Sequence, residues 1–308
     1  MAKAVRWLFG SNIKVHFAGS DNSVPHLVAA NLAGVNYSLF TCYPFINNRK
    51  RDDDFRYKEN DLFVPKIIEP LRKHVIMDSG LFTLMFGAEK GKKQTLESLT
   101  EWQDKTAAFV RQNNLKCTIV EIDCQKVLGV EQAWYFRERM KKVMPNNRHI
   151  NVFHLEDGKK GLDRLIEYAD YIAVSVPELR IHCRKTYKDD VTRLTYYIKN
   201  KKPKIDIHLL GCTEKGLLRE NKFCTSADST SWLSANRYGN SNYKRYHINS
   251  IKQTERERIR SAIIKEFNKY KVPSMRELTE KKVKYMQDAY FSAMFCKRTY
   301  EIYAGDQN

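Results

Sequence analysis

The chain runs to 308 residues, 42% hydrophobic and 29% charged, which is enough apolar side chain for a sizeable core and excludes an intrinsically disordered chain. Lys and Arg outnumber Asp and Glu by 54 to 36, a formal charge of +18 that favours a polyanionic partner, nucleic acid first, through counterion release. No run approaches the ~18–20 apolar residues of a membrane span, and no apolar signal core precedes a small-residue cleavage site, so a cytoplasmic protein is expected.

Residues 12–20 read as a first strand, Pro25 to Leu32 as a helix ended by Gly34, and Tyr37 to Cys42 as a second strand. Arg49 to Asp61 is a charged excursion read as a solvated loop, and Leu62 to Arg72 suits a helix with Pro65 near its start. His74 to Asp78 is a third strand that runs into Ser79 and Gly80. The spacing of Leu96, Leu99, Trp102, Ala107, Phe109 and Val110 predicts a helix over Thr95 to Asn113, and Cys117 to Asp123 a fourth strand. A helix over Val130 to Val143 stops at Pro145, and Ile150 to Glu156 forms a fifth strand ending in titratable groups. Then follow a helix over Leu162 to Tyr168, a sixth strand over Tyr171 to Val176, and a helix over Val191 to Lys199. A seventh strand spans Ile205 to Leu210, a short helix Glu214 to Arg219, and an eighth strand Phe223 to Ala227.

Eight strands alternating with helices argue for an α/β protein of the (β/α)8 TIM-barrel class, and no Gly-x-Gly-x-x-Gly turn follows the first strand to suggest a dinucleotide-binding sheet. The barrel is expected over residues 1–245. Residues 246–308 change character: Ser250 to Tyr270 and Met275 to Tyr303 are long, charged and helical, a basic extension expected to pack on the barrel. The cysteines, Cys42, Cys117, Cys124, Cys183, Cys212, Cys224 and Cys296, form no Cys-x-x-Cys pair, which argues against a disulfide framework or a zinc knuckle and for buried thiols.

In a barrel the strand C-termini share one rim, so Asp78, Asp123, Glu156 and Asp228 are expected to gather there. Clustered carboxylates raise at least one pKa, which suits acid/base work, and a carboxylate can capture the oxocarbenium-like centre formed when a base leaves a sugar. Taken singly, each aspartate could equally cap the next helix.

Several segments resemble the tRNA-guanine (queuine) transglycosylases. Asp78-Ser79-Gly80-Leu81-Phe82 is similar to that family's Asp-Ser-Gly-Gly-Phe, Ile122-Asp123 to its purine-reading Asp, and Leu209-Leu-Gly211 with Ala227-Asp228 to its Gly-bearing seventh strand and nucleophilic Asp. Ser226-Ala-Asp228-Ser-Thr-Ser-Trp232, followed by Arg237-Tyr238-Gly239, looks most like the DNA-modifying branch, the DpdA-type deazapurine transglycosylases of phages and bacteria. The resemblance, over about residues 12–240, implies exchange of guanine in DNA for a 7-deazaguanine such as preQ0. In those roles Asp228 is the nucleophile, Asp78 the general acid/base, and Asp123, Ser79, His154, Glu156 and Gly211 line the base pocket. No cofactor is implied beyond the deazapurine co-substrate. The Cys-x-Cys-x-x-Cys zinc site of the tRNA enzymes is missing, with only Cys296 after the barrel, and no Pro-Thr-Arg follows Asp228. Zinc is therefore not expected, and DNA is favoured over tRNA. Val174-Ser-Val-Pro-Glu178 stands at the family's base-contacting glycine turn but lacks its glycines.

His154 and Glu156 could line the pocket or only hydrogen-bond at the rim, and Trp232 could stack on a base or pack on the barrel. Arg237, Lys244 and Arg245 are phosphate candidates by charge, with a homodimer or partner subunit left open. His16 beside Asp21 reads as a satisfied strand histidine. Two rivals stand against base exchange: a barrel hydrolase or lyase with a metal on Asp123, His154, Glu156 and Asp228, and a nucleic-acid-binding scaffold with an inert site.

Overall fold

The computed structural model describes residues 12–20, 23–46, 69–81, 93–234, 248–270 and 278–308. Its strands are β1 (Lys14–Ala18), β2 (Tyr37–Thr41), β3 (His74–Asp78), β4 (Thr118–Val120), β5 (His149–Phe153), β6 (Tyr171–Ser175), β7 (Asp206–Leu210) and β8 (Ser226–Ser229). All pair in parallel with their sequence neighbours, and β1 pairs with β8 to close the barrel, with His16 opposite Asp228. Between the strands lie α1 (Val24–Leu32), α2 (Tyr43–Ile46), α3 (Leu96–Gln112), α4 (Gln125–Leu128), α5 (Val130–Val143), α6 (Gly158–Tyr168), α7 (Val176–His182), α8 (Tyr187–Lys201) and α9 (Lys215–Glu220). The chain is a (β/α)8 barrel with C-terminal helices, α10 (Gln253–Asn268) and α11 (Glu280–Ala304).

Local chemistry sets the helix starts. Ser23 accepts from His26 N–H (3.4 Å) to cap α1, Thr95 and Ser98 form a reciprocal capping box on α3, and Glu214 accepts from Leu217 N–H (2.8 Å). Glu214 therefore caps α9 instead of opening it. The expected strands all form, with shifted ends. β4 stops at Val120, so Asp123 stands three residues beyond it, and β8 runs through Asp228 instead of ending before it. The helix over Val176–His182 was not predicted, because its Val-Pro start reads as the end of the sixth strand.

Apolar side chains fill two regions. Inside the barrel Leu39, Ile76, Val120, Val152 and Ala173 form a small cluster, while the larger clusters lie between strands and helices. The C-terminal helices bury their apolar faces against α1 and the barrel: Ile263, Phe267 and Met286 pack on Val24 and Val28, and Ala289, Ala293, Cys296 and Tyr300 join the outer core. Past α11, Gln307 hooks onto β1, accepting from Val15 N–H (2.9 Å) and donating to Ile13 O (2.8 Å).

The excursion at 49–61, most of the helix expected over 62–72, Asp21, Phe82 and the basic residues Arg237, Lys244 and Arg245 lie outside the described residues.

Candidate active site

Asp78 is the last residue of β3 and faces the barrel interior in alternation with His74 and Ile76. Gly80 follows at φ +76°, where an added Cβ would stand 3.0 Å from Tyr43 Cβ. This left-handed turn directs the Ser79 and Gly80 N–H groups back onto the Asp78 carboxyl. Burial, then the charges of Asp123 and Asp228, outweigh those two donors and push Asp78 up to about 7. Asp228 on β8 and Asp123 in the loop after β4 therefore stand close enough to act on Asp78 at the end of β3, at one mouth.

Asp228 is buried and receives two hydrogen bonds on Oδ1, from Gly211 N–H (2.7 Å) and His208 Nε2 (3.1 Å). Gly211 turns the chain out of β7 at φ +63°, and a Cβ there would stand 2.7 Å from Pro177 Cγ. Only glycine brings the backbone this close to both the α7 proline and the carboxylate.

Beyond β4 and β5 a second set of charges alternates in sign. His154 donates through Nε2 to Asp123 Oδ2 (3.1 Å) and through Nδ1 to Glu178 Oε2 (3.0 Å), and Glu178 Oε1 meets Lys126 Nζ at 2.6 Å. Burial disfavours the charged imidazole, but the two carboxylates outweigh it and raise His154 to about 10. Burial likewise opposes ionisation of Glu178, yet His154 and Lys126 draw it down to about 2. Beneath this chain, Arg137 grips the buried Glu121 through Nε (2.9 and 3.0 Å) and donates to Val152 O (2.9 Å). Asp157 accepts from His154 N–H (2.9 Å), which anchors the loop that carries the imidazole.

The expected residues divide in two. Asp78, Asp123, Asp228 and His154 meet at the mouth, joined by the exposed Glu156, whose carboxylate lies within 4.8 Å of ligand atoms on His154 and Glu178. Three others serve differently. Ser79 is 2% exposed; its Oγ accepts from Leu81 N–H (3.4 Å) and its carbonyl from Trp102 Nε1 (2.8 Å), so it builds the turn rather than lining a base pocket. The Gly211 N–H is spent on Asp228, not on a base. Trp232 is 0% exposed, its Nε1 donates to Ala18 O (2.9 Å) and its carbonyl accepts from Ser292 of α11, so it cannot stack on nucleic acid. Glu178, Lys126 and His208 were missed as site residues; the one signal for Glu178 was its place after Pro177 in a strand-end turn.

The metal quartet expected from the sequence does not assemble as such. Among the described residues it is His154, Glu156 and Glu178 that come within ligating distance of one another, while Asp123 pairs with His154 and Asp228 with His208 and Gly211. No protein-family model matches the chain, and no curated protein matches it.

Proposed function

We propose that the chain is a base-exchange transglycosylase that removes guanine from nucleic acid, DNA in preference to tRNA, and inserts a 7-deazaguanine such as preQ0. One observation carries this reading: Asp78 has its pKa near 7 beside a second carboxylate, Asp228, whose Oδ1 is fixed by two donors. An acid that can both give and take a proton at neutral pH, next to an oriented carboxylate, is what double displacement at a sugar carbon needs.

In the first step Asp228 bonds to the anomeric carbon as the glycosidic C–N bond breaks, and neutral Asp78 gives its proton to the departing guanine. In the second, the ionised Asp78 takes a proton from the ring nitrogen of the incoming deazapurine, which attacks the same carbon and returns Asp228 as a carboxylate. Asp123 accepts from the N–H groups of the base edge, and the His154 imidazolium holds Asp123 in place. The target base must leave the stack to reach the mouth. DNA is preferred because the Cys-x-Cys-x-x-Cys motif of the tRNA enzymes has no counterpart here, Cys296 being the one cysteine in the sequence after the barrel.

The test is release of labelled guanine from duplex DNA and from tRNA on addition of preQ0, with a denaturation-stable protein–nucleic acid adduct absent from Asp228→Asn. Binding without release by the native chain would leave the inert-scaffold reading in its place.

A further inference from the structure

Below Asp228 the barrel interior carries polar side chains where an α/β barrel ordinarily stacks aliphatic ones. His208, third residue of β7, is fully buried, and its Nδ1 lies 2.5 Å from Ser226 Oγ, which lies 2.5 Å from the Tyr171 hydroxyl. These residues face inward from adjacent strands, β6, β7 and β8, with His208 paired to Ser226 in register. A bare lone pair on His208 Nε2 would face a carboxylate oxygen at 3.1 Å, so Nε2 carries a hydrogen. In the neutral imidazole a hydrogen on Nε2 leaves Nδ1 an acceptor, so Ser226 donates to Nδ1 and accepts in turn from the Tyr171 hydroxyl, which burial keeps protonated. The direction of every hydrogen in the relay is then set.

We propose that His208 is a positioning residue for Asp228, locked as an Nε2–H donor by the Tyr171–Ser226 hydroxyl relay so that the Asp228 oxygen other than Oδ1 meets the sugar carbon. It rests on the transglycosylase reading above and extends it to the life of the covalent adduct. When the C–O bond to the sugar forms, Oδ1 becomes an ester carbonyl that still accepts from His208 and Gly211. When that bond breaks, negative charge returns to the carboxylate, and a donor binds a carboxylate more strongly than an ester. The donor pair therefore favours departure of Asp228 from the sugar and keeps the adduct short-lived.

The experiment compares His208→Gln, whose amide N–H can reach the place of Nε2–H, with His208→Leu, which has no donor, in preQ0-driven guanine release from labelled duplex DNA and tRNA. Losing one hydrogen bond to a charged oxygen should lower kcat roughly 10- to 100-fold in His208→Leu, with the KM for nucleic acid falling alongside it and a larger share of protein trapped as adduct during turnover. His208→Gln should recover most of the loss. Should His208→Leu not fold, Ser226→Ala serves in its place, expected to broaden or shift the His208 Nε2–H signal in 15N NMR and to raise the trapped fraction. Native kcat and adduct fraction in His208→Leu, or an NMR signature of Nδ1–H with a bare Nε2 in the native chain, would overturn the assignment. If the native chain releases no guanine from either polymer, it is the transglycosylase reading that fails, and the NMR tautomer still decides the relay.

Discussion

Replacing Asp78 with Asn should make the protein more stable at alkaline pH while abolishing base exchange. Asp78 is raised from 3.8 to about 7 in the folded chain, so its proton is held between those limits while the unfolded chain gives it up. Below pH 3.8 both states are protonated and the residue imposes no penalty. As pH climbs toward 7 stability is lost at about 1.4 kcal/mol per pH unit, and above 7 the loss levels off near 4 kcal/mol. Asparagine copies the neutral carboxyl and can keep the Ser79 and Gly80 N–H bonds without ever ionising. The variant should therefore match the native chain only below about pH 3.8, exceeding it by about 1 kcal/mol at pH 4.5 and by about 4 kcal/mol at pH 8.5. For a chain of this length that is roughly 6 °C in Tm. Urea unfolding at several pH values measures it directly. Stability curves of the native chain and of Asp78→Asn that stay parallel from pH 4.5 to 8.5 would refute the claim that burial and two neighbouring carboxylates raise this group.

Gly211→Ala should destabilise by about 2–4 kcal/mol, from the left-handed backbone and the 2.7 Å approach of its Cβ to the Pro177 ring, with part recovered in a Pro177→Ala background on urea unfolding. Arg137→Met strands the buried Glu121 carboxylate and should cost about 3–5 kcal/mol, whereas the Glu121→Leu/Arg137→Met pair should cost less, as a double-mutant cycle by denaturant would show. His74, lowered from 6.5 to about 4 by burial and nearby cations, takes up its proton more readily when unfolded, so stability should fall as pH drops from 6.5 to 4. His74→Gln should flatten that slope, by about 3 kcal/mol over the interval, in the pH dependence of the urea midpoint.

Local pattern was enough to expose the frame of this protein. The βα alternation, the helix over Val130–Val143 and the strand that ends on Asp78 follow from periodicities of 2 and 3.6 and from turn residues within a few positions, which are properties of neighbours in the chain. The same alternation brought the carboxylates of residues 78, 123 and 228 to one rim, because a closed parallel barrel collects its strand ends. What no local pattern could settle is which groups meet across that rim. Glu178 joins the site only because an unexpected helical turn after β6 swings it onto His154 and Lys126, and His208 only because β7 and β8 are in register. Trp232, which reads equally well as a stacking platform, is sealed by a serine sixty residues later on α11. Ionisation behaves the same way: the value near 7 at Asp78 sums burial and charges from strands far apart in sequence, and those terms exist only once the barrel has closed.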